Sequence, residues 1–122
     1  APAHCTGLGK AILAFLPKEE RRRILKEKGL KAYTSNTITS LSEFEAECER
    51  IRERGFALDL GEHEEEIRCV AAPILDHTGY PIAALSVAIP AFRTSQAQLE
   101  ELGPDVAKAA KQISVKSGYL RR

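Results

Sequence analysis

Three polar side chains, Asp59, Cys69 and Ser86, stand in stretches that otherwise alternate between large and small apolar residues. A carboxylate, a thiol and a hydroxyl among apolar walls are a means of holding a small polar molecule, with one ionisable acceptor and two neutral partners. All three fall between Gly55 and Pro90, in GFALDLGEHEEEIRCVAAPILDHTGYPIAALSVAIP, where the β-prone alternation is concentrated. The pattern predicts strands over Phe56–Leu60, Ile67–Asp76 and Pro81–Pro90, with successive side chains on opposite faces. One series is bulky: Phe56, Leu58 and Leu60, then Val70 and Ile74, then Leu85, Val87 and Ile89. The opposite series is small, with Ala57 and Asp59, then Cys69 and Ala71, then Ala84, Ser86 and Ala88. If the small series coincide, the sheet presents a shallow floor bearing the three polar groups. Small residues also serve simply to let a helix lie close.

A second feature suits negative charge. Thr6-Gly7-Leu8-Gly9-Lys10 reads as a helix start with Thr6 as N-cap, followed by an apolar stripe of Leu8, Ala11, Ile12, Phe15 and Leu16. The N–H groups and positive dipole end of such a start favour an anion such as a carboxylate, although every helix start shares that tendency. Other chemistry finds little support. There is no H-E-x-x-H, G-x-S-x-G or P-loop motif and no Cys/His spacing of a structural zinc site. His63, within Glu62-His63-Glu64-Glu65-Glu66, reads as part of an exposed acidic connection rather than a metal ligand. Glu19 and Arg23 stand four apart, so the cluster between them reads as a solvated helix face rather than a phosphate clamp.

Helices must position these groups. After Pro17 a helix is predicted over Lys18–Lys28, closed by Gly29. Tyr33–Thr39 reads as a polar loop. Ser40 and Ser42 each precede a Glu by three residues, the capping-box spacing, and open a helix with Phe44, Cys48 and Ile51 buried and Gly55 at its end. Ser95 with Gln98 opens the last helix, where Leu99, Leu102, Val106, Ala109, Ala110 and Ile113 keep one phase across Gly103-Pro104. One kinked helix is therefore expected.

Composition bounds the rest. A chain of 122 residues, 43% hydrophobic and 29% charged, is of one-domain size and can build a core. No apolar run spans a bilayer, so no membrane partner is expected. With 18 Lys and Arg against 17 Asp and Glu, the basic surplus of a domain that grips nucleic acid by itself is missing. Cys5, Cys48 and Cys69 are odd in number and form no C-x-x-C pair, which fits a reducing cytoplasm. Methionine is absent even at the first position, so the chain is expected to belong to a longer protein.

Together these residues resemble a known family. His4-Cys5-Thr6-Gly7-Leu8-Gly9-Lys10-Ala11, Tyr33-Thr34 through Asn36-Thr37-Ile38-Thr39, and Glu53-Arg54-Gly55-Phe56 occur in the order of the effector-binding domain of IclR-type bacterial transcription regulators. That family's C-terminal signature is then similar at Gly55, Asp59, Glu62, Cys69, Val70, Ala71, Ile74 and Asp76. Leu75 departs from it, where an aromatic residue or His is favoured. The resemblance implies one α+β, GAF-like domain over residues 1–122, an antiparallel sheet flanked by helices, with the first strands of the family's sheet absent from this chain. It implies a small-molecule effector, often a carboxylate or keto acid. Its contacts carry over to the backbone of Gly7 and Leu8 and to Asp59, Cys69 and Ser86, with Ala88 where some members place a further serine. It also implies no cofactor, a homo-oligomer (dimer or tetramer), and DNA binding only through a winged helix-turn-helix domain absent here. The alternatives are a dimerisation module without a ligand and an enzyme using Cys69 with a histidine base.

Overall fold

Backbone pairing fixes the register on which the floor depends. In a computed structural model describing residues 2–116, the strands β1 (Ala57–Leu60), β2 (Ile67–Leu75) and β3 (Pro81–Pro90) form an antiparallel sheet in the order β1-β2-β3. Asp59 lies opposite Cys69 and Cys69 opposite Ala88, while Ala57, Ala71 and Ser86 form the adjacent same-face row. The small series therefore share one face, and Leu58, Val70 and Val87 share the other.

Two strand ends fall one residue inside the expected bounds. Arg54 Nε donates to the Phe56 carbonyl at 2.8 Å, and β1 begins only at Ala57. The ladder slips between Ile74 and Leu75, and β2 stops before Asp76. The Asp76 carboxylate instead organises the turn to β3, accepting from the N–H of Thr78 at 2.8 Å and of Tyr80 at 3.1 Å.

Each face recruits helices according to side-chain size. The bulky face packs on α4 (Gln96–Lys116), which runs unbroken through Pro104 and is opened by a reciprocal Ser95–Gln98 cap. Its buried line is Leu99, Gly103, Val106, Ala110 and Ser114; Ile113 is exposed, contrary to the expected stripe. Ser114 replaces it because its hydroxyl accepts the Leu75 N–H at 3.0 Å and donates to the Ala110 carbonyl at 3.1 Å. Gly103 is essential to the fit, since a Cβ there would lie 2.3 Å from the Phe56 ring.

The small face packs on α1 (Gly7–Phe15), whose Ala11 and Ala14 join Ala57 and Ala71 in one cluster. Close helix approach therefore accounts for part of the small series. On its other side α1 meets α3 (Leu41–Arg54) through Phe44, Cys48 and Ile51, all fully buried. Being covered on two sides, α1 buries Gly7, Lys10, Ala11, Leu13 and Ala14, and the expected stripe is rotated: Leu8 is 44% exposed and Ile12 and Phe15 are half-buried. The caps of α3 are as expected, Ser40 at its start and left-handed Gly55 (φ 90°) at its end.

The helix α2 (Lys18–Lys28) also departs from expectation, because Arg21 within its charged cluster is buried. Its guanidinium forms a fork on Glu45, Nε to Oε2 at 2.9 Å and Nη2 to Oε1 at 2.8 Å, and Nη1 donates to the Leu16 carbonyl at 3.0 Å. Arg21 thus ties α2 to α3 and closes the end of α1.

Candidate functional site

The predicted contacts converge where the start of α1 crosses the end of the small face. Thr6 caps the helix, its Oγ1 accepting from the Gly9 N–H at 3.2 Å and its carbonyl from the Lys10 N–H at 2.9 Å. The N–H groups of Gly7 and Leu8 precede those first bonds. Gly7 sits on the sheet directly over Cys69, with room for no side chain. Asp59 and Cys69 are buried, Ser86 is half-buried, and Ala88 is exposed at the outer end of the Asp59 row. The Leu8 side chain points away from the packed face of α1, leaving only its backbone near the site.

Asp59 is presented by a tight turn, Asp59–Glu62. Its Oδ1 accepts the Glu62 N–H at 2.8 Å, and Gly61 turns the chain at φ 76°. The polar loop that follows α2 clamps this turn from outside. Thr34 Oγ1 donates to the Gly61 carbonyl at 2.6 Å, Asn36 Nδ2 to the Leu60 carbonyl at 3.1 Å, and Thr37 Oγ1 to the Glu62 carbonyl. Burial pushes the Asp59 carboxyl above its ordinary range, against the lowering effect of the Glu62 N–H and of Lys10.

Lys10, in the first turn of α1, has no exposed surface. Its ammonium donates to the Leu58 carbonyl at 2.7 Å and to both Glu62 oxygens, at 3.1 and 2.8 Å, and lies 2.9 Å from Glu47 Oε2. Burial raises the Glu62 carboxyl despite that contact. At Glu47 burial acts in the same upward direction but is outweighed by Lys10, Arg50 and Arg54, and the net shift is down. No local signal marks Lys10, since the dipole cost of a lysine in the first turn of a helix is small and does not by itself require a carboxylate partner.

The Cys69 thiol is pushed up by burial and by the charge of Asp59, with Ser86 acting in the opposite direction. A neutral thiol suits a binding partner better than a nucleophile. His63 packs edge-on against Tyr33, ring centroids 5.1 Å apart. Two concave spaces lie elsewhere. One of about 870 Å³ is floored by Leu25, Leu30 and Leu41, and one of about 580 Å³ lies beside His4 and Tyr33. Neither includes Asp59, Cys69 or Ser86. The larger of the two is an open groove with a solvated charged rim.

The family model described as bacterial transcriptional regulator IclR C-terminal matches residues 1–115. The chain belongs to the IclR family. It is 38% identical over 120 residues to the transcriptional repressor IclR of Escherichia coli K12, covering 98% of this chain and 44% of that protein. Among solved structures, the IclR of Thermotoga maritima superposes with a TM-score of 0.91 at 41% identity, over 98% of this chain and 48% of that one. The inducer binding domain of the PobR transcription factor from Acinetobacter, a double mutant in complex with 3-hydroxybenzoic acid, matches with a TM-score of 0.84 at 30% identity, over 93% of this chain and 66% of that one. The chain thus spans under half the length of the E. coli relative and corresponds to an IclR C-terminal effector-binding domain. These IclR relatives are transcriptional regulators, and no helix among the described residues is long and apolar enough to cross a membrane.

Proposed function

We propose that this IclR-type domain senses a small carboxylate or keto-acid metabolite, and that binding modulates DNA recognition by a winged helix-turn-helix domain elsewhere in the same polypeptide. The observation that carries this reading is the meeting of the α1 start with Asp59, Cys69 and Ser86 on one end of the small face. The Gly7 and Leu8 N–H groups receive the carboxylate, Ser86 and Cys69 are neutral partners, and Asp59 accepts from a ligand hydroxyl or hydrated keto group. Ala88 supplies no hydroxyl, which leaves more room and one donor fewer than a serine would. The aromatic acid in the related PobR structure supports a carboxylate class without naming the effector.

A regulator's ligand must favour one arrangement of the assembly, here a homo-oligomer in the cytoplasm, over another. An enzyme based on Cys69 gains no support, since its thiol is shifted away from the reactive thiolate. The test is native mass spectrometry of the intact protein, followed by calorimetric titration with small 2-oxo and hydroxy acids. A bound metabolite lost on Asp59 and Ser86 substitution supports the reading. Saturable binding that ignores all these residues places the site elsewhere.

A further inference from the structure

Lys10 grips the chain on both sides of Asp59. It holds the Leu58 carbonyl, one residue before, at 2.7 Å and the Glu62 carboxylate, three residues after, at 2.8 Å. The same side chain belongs to the first turn of α1, three residues beyond Gly7, and its third contact, Glu47 at 2.9 Å, belongs to α3. The two parts of the candidate site, a helix start and a turn, are thus joined by one ammonium that reaches neither solvent nor the floor.

We propose that Lys10 is the positioning residue of the effector site, fixing the turn that presents Asp59 against the start of α1. The proposal deepens the function given above and rests on Asp59 belonging to the effector site.

Geometry and charge both support it. An ammonium has three donors, and here they are directed to Leu58, Glu62 and Glu47, so Lys10 has none left for a ligand and acts only through Asp59. Several groups face Asp59: Lys10 from α1, Glu62 and His63 from its own connection, Cys69 from β2, and Cys5 from the turn before α1. Behind Lys10, Glu47 is shared with Arg50 at 3.0 Å and Arg54 at 3.9 Å. Lys10 is the cation nearest the turn. Its charge opposes the upward effect of burial on the Asp59 carboxyl, as the Glu62 N–H does.

The experiment follows the Asp59 carboxyl by carbon-13 NMR through a pH titration of the intact protein, without effector. Lys10→Met removes the charge but keeps an unbranched chain, and the Asp59 midpoint should rise. Glu62→Gln keeps the shape and the Lys10 contact while removing one neighbouring charge, and the midpoint should fall. A lysine that merely fills space would leave the Asp59 midpoint of Lys10→Met where it stands in the parent. Opposite shifts support the proposal; shifts of one sign, or none, overturn it. Should Lys10→Met fail to fold, the Lys10 ammonium of the parent is followed by nitrogen-15 NMR through the same titration: a step at the Asp59 midpoint supports the proposal, and its absence overturns it. Because no effector is used, a protein that binds no metabolite would refute the sensing function and leave this outcome readable.

Discussion

Gly7 lies against Cys69 so closely that a Cβ on it would come within 2.6 Å of the sulfur. The start of α1 is therefore seated on the floor by the absence of a side chain. Gly7→Ala should force the thiol or the helix aside. Overpacking of this kind costs about 1–3 kcal/mol, partly offset by the better helix propensity of alanine. Thermal unfolding should show a lowered Tm, and Cys69→Ala in the same chain should recover most of the loss. A Gly7→Ala protein as stable as the parent would mean that the two elements are not in contact.

Gly103 makes the corresponding contact on the bulky face, where its backbone meets the Phe56 ring. Gly103→Ala is expected to destabilise by about 1–2 kcal/mol although it lies within a helix, reversing the usual gain from that exchange. Phe56→Leu should relieve the clash in the double variant while carrying its own cost, so the two changes should be non-additive in denaturant titrations.

Which parts of this architecture were legible beforehand follows from the physics of each signal. Strand alternation and caps are local, and they gave the sheet faces, Ser40, Gly55 and the Ser95–Gln98 pair close to where they stand. Asp59, Cys69 and Ser86 stand out because polar residues interrupt small apolar series. Lys10 and Arg21 do not, because nothing local distinguishes a lysine or arginine facing solvent from one buried against a carboxylate 52 or 24 residues away. The α1 stripe misled because a helix covered on two sides has no single apolar face.

The Arg21–Glu45 pair predicts an acid limb. The hydrogen bond from Arg21 holds the Glu45 carboxyl below its ordinary 4.5, against the effect of burial. As pH falls the unfolded chain takes up this proton first. The pair's contribution is therefore complete above about pH 4.5 and is lost as pH falls through the lower folded value. The Tm difference between the parent and Glu45→Gln should be largest near neutrality and shrink in acid. Arg21→Met should be worse than either, by about 3 kcal/mol or more, since it also strips the Leu16 carbonyl. A difference independent of pH would show that the fork on Glu45 does not form.

The cysteines should report burial by rank. Cys5 and Cys48 have no exposed surface and thiols pushed up to about 11, whereas Cys69 is 8% exposed. Iodoacetamide at pH 8 should label Cys69 first among the three, yet more slowly than a free thiol. Labelling faster than a free thiol would revive the cysteine-enzyme alternative.

Effector affinity should divide unequally between the two polar groups on the floor. Ser86→Ala removes one neutral hydrogen bond, worth about 0.5–1.5 kcal/mol, and should weaken binding a few-fold. Asp59→Asn keeps the shape, and its Oδ1 can still accept the Glu62 N–H, but the acceptor offered to a ligand hydroxyl is no longer charged. Hydrogen bonds to charged groups contribute about 1.5–3 kcal/mol, so a loss of about tenfold or more is expected at pH 7. The pH profile separates this from simple damage. Because burial raises the Asp59 carboxyl above its ordinary value, the parent's affinity should be greatest above that raised value and decline as pH falls through it. Asp59→Asn, with nothing to titrate at that position, should show no such decline from this group, and the two curves should converge in acid. Calorimetric titrations with whichever metabolite co-purifies would read both curves. Tighter binding by Asp59→Asn at pH 7 would instead place the ligand carboxylate, rather than its hydroxyl, beside Asp59.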